Sequence, residues 1–130
     1  MKTGKPRVVE NYLAFHQVDE QGKYNGWSGY TLLGVAAREG NSVALQKLLA
    51  ADANVNLRSA WGYMPLIVAA GWGKTDAVRL LLDNPDTHIN AESNSGWTAL
   101  GAAKTEGHTG VIYLLEQRGA VCRSPFFWVC

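Results

Sequence analysis

The chain has 130 residues, a formal charge of +1 and a hydrophobic fraction of 47%. That length accommodates one ordinary domain with a core of its own, and the near-neutral charge excludes a dedicated polyanion binder, so no nucleic-acid partner is expected. The two cysteines, Cys122 and Cys130, both fall near the carboxyl end; no disulfide framework spans the domain, and two plain thiols in a reducing, cytoplasmic compartment are the expectation, with pairing, lipidation or metal binding as the alternatives. No apolar run has signal-peptide or membrane-span length.

In chain order, residues 1–25 come first. Val8, Val9, Tyr12, Leu13 and His16 recur at helical spacing and predict a capping helix over 6–17 that covers the first repeated unit. From Gly26 onward one pattern occurs three times. Gly29-Tyr30-Thr31-Leu32-Leu33 returns as Gly62-Tyr63-Met64-Pro65-Leu66 and again as Gly96-Trp97-Thr98-Ala99-Leu100. Ala36-Ala37, Ala69-Ala70 and Ala103-Lys104 keep the register, as do Gly40, Gly73 and Gly107, then Leu45, Val78 and Ile112. A period of about 33 residues marks a repeat array. Its units are expected at 26–60, 61–95 and 96–122, followed by an apolar tail at 123–130.

Each unit reads as two helices. The first, near 32–39, 65–72 and 99–106, carries small residues that let backbones approach. The second, near 42–51, 75–83 and 109–118, carries an apolar row with nothing to cover it except a neighbouring unit. The glycines at 40, 73 and 107 suit a chain reversal with positive φ. The second unit has one extra residue within "DNPDTHIN", which should alter the turn after Leu82 and leave the stacking intact.

These residues resemble the ankyrin family, whose repeat reads G-x-T-P-L-H-x-A-A-x-x-G-H, then an apolar helix, then G-A-x-x-N. The resemblance covers about Gly26 to Ala120 and implies an all-α solenoid of helix-turn-helix units joined by β-hairpin-like turns. The Thr-Pro-Leu-His signature is nowhere complete: Leu32 and Ala99 replace proline and Met64 replaces threonine, while Gly34, Ile67 and Gly101 stand in place of histidine. Glycine within a helix costs about 1 kcal/mol relative to alanine, so the first and third inner helices should be soft. Asn56 and Asn90 occupy the asparagine of the family's turn and are expected to form it.

The resemblance further implies that turn tips and inner-helix ends face a concave groove that contacts partners. The residues at those places are Trp27, Tyr30, Trp61, Tyr63, Trp72 and Trp97, with Arg38, Glu39, Lys104, Thr105 and Glu106 as a polar rim. Large aromatics there supply rigid contact area; the competing reading is that they stack from turn to turn. No catalytic, cofactor or metal set emerges. His16, His88 and His108 have no ligand-spaced neighbours, His108 reads as a turn residue, and Gly71-Trp72-Gly73-Lys74-Thr75 lacks the phosphate-loop frame.

The expected function is therefore a non-catalytic protein-interaction module that binds a protein or peptide through its aromatic groove. The alternative is a structural or regulatory piece acting through its apolar tail, by self-association through Phe126, Phe127 and Trp128 or by docking on another subunit. The tail itself is expected to fold onto the open edge of the third unit.

Overall fold

A computed structural model of the chain describes residues 21–22 and 30–130. The expected capping helix over 6–17 lies outside the described residues. A short antiparallel pairing comes first, β1 (Gln21–Gly22) against β2 (Tyr30–Thr31), with Gln21 opposite Thr31. Six helices succeed it: α1 (Leu32–Glu39), α2 (Ser42–Ala50), α3 (Pro65–Gly71), α4 (Thr75–Leu82), α5 (Ala99–Glu106) and α6 (Thr109–Gln117). All six match the spans expected from the repeat register to within a residue or so at their ends.

The incomplete family signature still starts each inner helix. Thr31 Oγ1 accepts from Gly34 N at 3.0 Å and Thr98 Oγ1 accepts from Gly101 N at 3.2 Å, so α1 and α5 are capped by a threonine. Met64 offers no such oxygen, and α3 begins instead with Pro65 at its first helical position, where the missing N–H leaves nothing unsatisfied and φ is already helical. Each inner helix keeps one half of the threonine-proline device.

Helix α3 packs between α1 and α5, and the outer helices α2, α4 and α6 stack along the back. Small side chains make the inner layer close: Ala36, Ala37, Ala69, Ala70 and Ala103 are completely buried. Leu45, Leu48, Leu81 and Leu115 fill the space between the layers, also inaccessible to solvent. One continuous core results, in which each outer helix covers its apolar row only by meeting its neighbours.

The reversals after the inner helices use positive φ at Gly40 (68°), Gly73 (69°) and Gly107 (73°). At Gly73 a Cβ would also sit 2.7 Å from Nδ1 of His108 in the next unit. The turn is thus constrained twice, by its own backbone and by the neighbour resting on it.

Asparagines bridge successive units. Asn56 Oδ1 accepts from His88 N at 2.9 Å while its Nδ2 donates to Asp86 O at 2.8 Å, and Asn90 Oδ1 accepts from Val121 N at 2.7 Å. The extra residue of the second unit is absorbed locally, where Thr87 N donates to Asn84 O and Asp86 N to Asn84 Oδ1. Arg118 closes over the end of α4, donating to Leu82 O at 2.9 Å and to Asp83 Oδ1 at 3.0 Å.

The carboxyl end corrects one expectation: Cys122 and Cys130 are not free thiols but a disulfide, with Cα atoms 5.7 Å apart. The tail doubles back as a closed loop along the edge of the third unit. Thr98 N donates to Arg123 O at 3.1 Å, Arg123 N donates to Thr98 Oγ1 at 3.0 Å, and Phe126 meets Trp97 edge to face with ring centres 5.9 Å apart. Gly101 has a reason the sequence did not reveal, because a Cβ there would run into the Arg123 carbonyl. The tail therefore covers the edge with backbone and one ring, while Phe127 and Trp128 stay 91% and 70% exposed.

Two glycines two positions apart should respond oppositely. Gly73→Ala forces an L-residue into the left-handed region and should destabilise the array by about 1–2 kcal/mol. Gly71→Ala, in a helix and with only ordinary contact at 3.7 Å from the Ala102 Cβ, should stabilise by about 0.5 kcal/mol. Urea denaturation followed by circular dichroism measures both. Opening the disulfide with a reductant should lower the unfolding free energy by about 2 kcal/mol, and removing residues 124–130 should lower it as well; unchanged unfolding midpoints would show that the loop does not support the array.

Candidate functional site

The inner helices end, and the turns preceding them point, toward one side of the array. Trp72 follows α3, Thr105 and Glu106 end α5, and Tyr63 and Trp97 stand just ahead of α3 and α5. Because the units stack in register, these five side chains converge. With Ile67, Val68, Gly71, Ala102 and His108 they line a cavity of about 540 Å³ between the second and third units. That volume is in the range of specific ligand sites.

The floor is apolar and the rim is chemically uneven. Val68 and Ile67 are buried, whereas Trp72 is 53% exposed. The guanidinium of Arg38, from the first unit, lies 4.5 Å from the centre of the Trp72 ring, a cation held against a π-face. His108 Nε2 is 3.1 Å from Gly71 O; since a carbonyl oxygen only accepts, that nitrogen carries a proton and the ring is tied to the end of α3. Lys104 turns away to Glu116 at 3.6 Å. Glu106 is solvent-exposed and makes no ion pair among the described residues.

Of the residues expected at the groove, Tyr63, Trp72, Trp97, Thr105 and Glu106 come together. Arg38 reaches the site through Trp72. Glu39 ends α1 half-buried, Trp61 is 50% exposed in its turn and Lys104 is paired with Glu116, and none of the three lines the cavity. Only the backbone of Tyr30 is described, in β2, and Trp27 lies outside the described residues. Trp97 does not stack on Tyr63 from turn to turn; its ring contact is with Phe126 of the tail.

Sequence reasoning missed Ile67, Val68, Gly71, Ala102 and His108 as lining residues. The available signal was register: His108 occupies the position of Asn41 and Lys74, each one step past a reversal glycine. Lys74 packs against Gly40 just as His108 packs against Gly73, so this position reaches back over the preceding unit and toward the groove.

Among the described residues no three His, Cys, Asp or Glu side chains stand together to hold a metal ion, and no helix is long and apolar enough to cross a membrane.

The comparison with known proteins agrees with this architecture. A family model for ankyrin repeats in three copies matches residues 2–92 and again 32–124. Ankyrin repeat and SOCS box protein 3 from Bos taurus is 32% identical over 90 residues, which is 68% of this chain and 17% of that protein. Protein phosphatase 1 regulatory subunit 12A from Mus musculus is 46% identical over 57 residues, 44% of this chain and 6% of that protein. Transient receptor potential cation channel subfamily A member 1 from Homo sapiens is 30% identical over 120 residues, 91% of this chain and 11% of that protein. The chain thus spans less than a fifth of the length of these relatives. Stacked helix pairs, glycine reversals and a match running through all three units converge on one conclusion: the chain belongs to the ankyrin repeat family, whose repeats are generally protein–protein interaction modules.

Proposed function

We propose that this chain is a non-catalytic binding module that takes a protein or extended peptide in the groove between its second and third repeats. The observation that carries the reading is the convergence of Tyr63, Trp72 and Trp97 on one apolar-floored cavity of about 540 Å³. Aromatic side chains give large contact area for little lost rotamer freedom and dominate the energetics of many interfaces. A standard interface of about 800 Å² on this side would use most of a three-repeat concave face, so Arg38, Thr105 and Glu106 belong to its rim. The reading includes a cytoplasmic location; the Cys122–Cys130 bridge weighs against that part, because cytosolic thiols are normally kept reduced.

A second reading rests on the tail. Phe126 stacks on Trp128 with ring centres 4.9 Å apart, Phe127 stands against the same indole edge to face, and Phe127 and Trp128 remain mostly open to solvent. A ring cluster held out by a closed loop is a surface for a second copy or another subunit. Sedimentation velocity over a concentration series, on the full chain and on one ending at Arg123, separates the readings. Under the groove reading both are monomers; size that grows with concentration only when the tail is present transfers the function to the tail.

Replacing Tyr63 and Trp72 together by alanine should abolish partner binding, a loss of at least about 100-fold in affinity from two hot-spot residues, with the helical circular dichroism signal retained. Binding that survives in the folded double variant would remove the groove from the function.

A further inference from the structure

The repeat register puts two pairs of positions in the same relationship, and the two are filled differently. Arg38 of the first repeat lies over Trp72 of the second at 4.5 Å. One repeat on, the residue in the place of Arg38 is Gly71, and the residue in the place of Trp72 is Glu106. Where the first pair is a cation on an indole, the second is a missing side chain next to a carboxylate. Gly71, Glu106, Trp72 and Trp97 all line the cavity.

Nothing in the backbone requires glycine at 71. It is the last residue of α3, it has no positive φ, and a Cβ there would meet only the Ala102 Cβ at an ordinary 3.7 Å. The neighbouring reversal at Gly73 shows what a required glycine looks like, with φ of 69° and the His108 ring in the way. The gap at 71 is therefore spare room that the chain does not fill.

The groups around that gap favour one chemistry. Glu106 makes no ion pair among the described residues, and Lys104, the nearest lysine in sequence, is engaged with Glu116. Trp72 stands between the two neighbouring repeats, with Arg38 reaching it from the first and the cavity opening toward the third. An indole face attracts a cation through its quadrupole, and a planar guanidinium can stack on the ring while its N–H fork reaches a carboxylate.

We infer that the groove is completed by an arginine side chain supplied by the partner, seated in the space above Gly71 against Trp72 and Trp97 and paired with Glu106. The inference rests on the groove-binding reading and specifies its partner as a segment carrying an arginine. The partner's guanidinium takes, toward the third repeat, the place that Arg38 takes toward the second.

The test is selection of a random displayed peptide library on the full chain, followed by calorimetric titration of the recovered peptides as synthetic probes. The variants are Glu106→Gln, Gly71→Ala, Gly71→Arg and the Tyr63→Ala, Trp72→Ala pair, each checked for helicity. The expected result is a recurring arginine whose replacement by norleucine weakens binding about tenfold or more. Glu106→Gln should reduce affinity for the arginine peptide by a comparable factor and leave the norleucine version unchanged. Gly71→Ala should narrow the space and weaken the arginine peptide in part, while Gly71→Arg should fill the space from within and lose the peptide.

Peptides that need Tyr63 and Trp72 but show no preference for arginine, or that ignore Glu106→Gln, overturn the arginine inference and leave the groove reading standing. A preference for lysine equal to that for arginine overturns the guanidinium assignment. Recovery of no peptide whose binding depends on Tyr63 and Trp72 removes the groove reading and this inference with it.

Discussion

Each repeat of this chain has apolar faces that its own two helices cannot close, and the rest of the structure is governed by the need to cover them with a neighbour. The inner layer can be close-packed only because Ala36, Ala37, Ala69, Ala70 and Ala103 project almost nothing between backbones. Close stacking in turn fixes the register, so a residue at a given repeat position always meets the same positions of the adjoining unit. Lys74 rests on Gly40 as His108 rests on Gly73, and Asn56 ties to His88 as Asn90 ties to Val121. The solenoid is held by a short set of contacts used repeatedly, and a nearest-neighbour description of its stability is appropriate.

The last unit has no following repeat among the described residues, and the tail takes over part of that role. Asn90 receives Val121 N in the way Asn56 receives His88 N, so the chain begins another inter-repeat turn before the disulfide closes it into a loop. The Arg123 carbonyl occupies the space beside Gly101 and accepts from Thr98 N. Trp97 connects this edge to the groove: it lines the cavity on one side and touches Phe126 on the other. Tail and groove are thus mechanically adjacent, sharing one indole.

The helices and reversals were legible in the sequence because they depend on properties that each residue carries with it. Gly40, Gly73 and Gly107 mark reversals by their freedom at positive φ, and the alanine pairs mark close approach by their size. The features that the sequence concealed depend on contacts made elsewhere. Gly101 read as a weak point in a helix, although it is the place where Arg123 comes in. Cys122 and Cys130 read as separate thiols because their pairing needs the tail to double back, and no local pattern announces that. The candidate groove was half legible: aromatic residues at turn tips stood out, whereas Ile67, Val68 and Ala102 looked like ordinary core, and His108 looked like a turn residue until register placed it over Gly71.

The same register explains why the groove is not uniform along the array. Strict repetition would give every inter-repeat junction the same rim, and a uniform rim would distinguish poorly between partners. This chain keeps the spacing and changes the occupants: arginine, glycine and threonine at positions 38, 71 and 105, then glutamate, tryptophan and glutamate at 39, 72 and 106. Those positions lie at the ends of the inner helices, where substitutions disturb packing least, since the alanines behind them already close the core. Chemical variety is therefore concentrated at the few places where the stacking constraint is weakest. At the junction between the second and third repeats that variety sets three things side by side: exposed indole surface, unfilled space, and a carboxylate with no ion pair among the described residues. Specificity arises more readily from such an unsatisfied set than from apolar area alone.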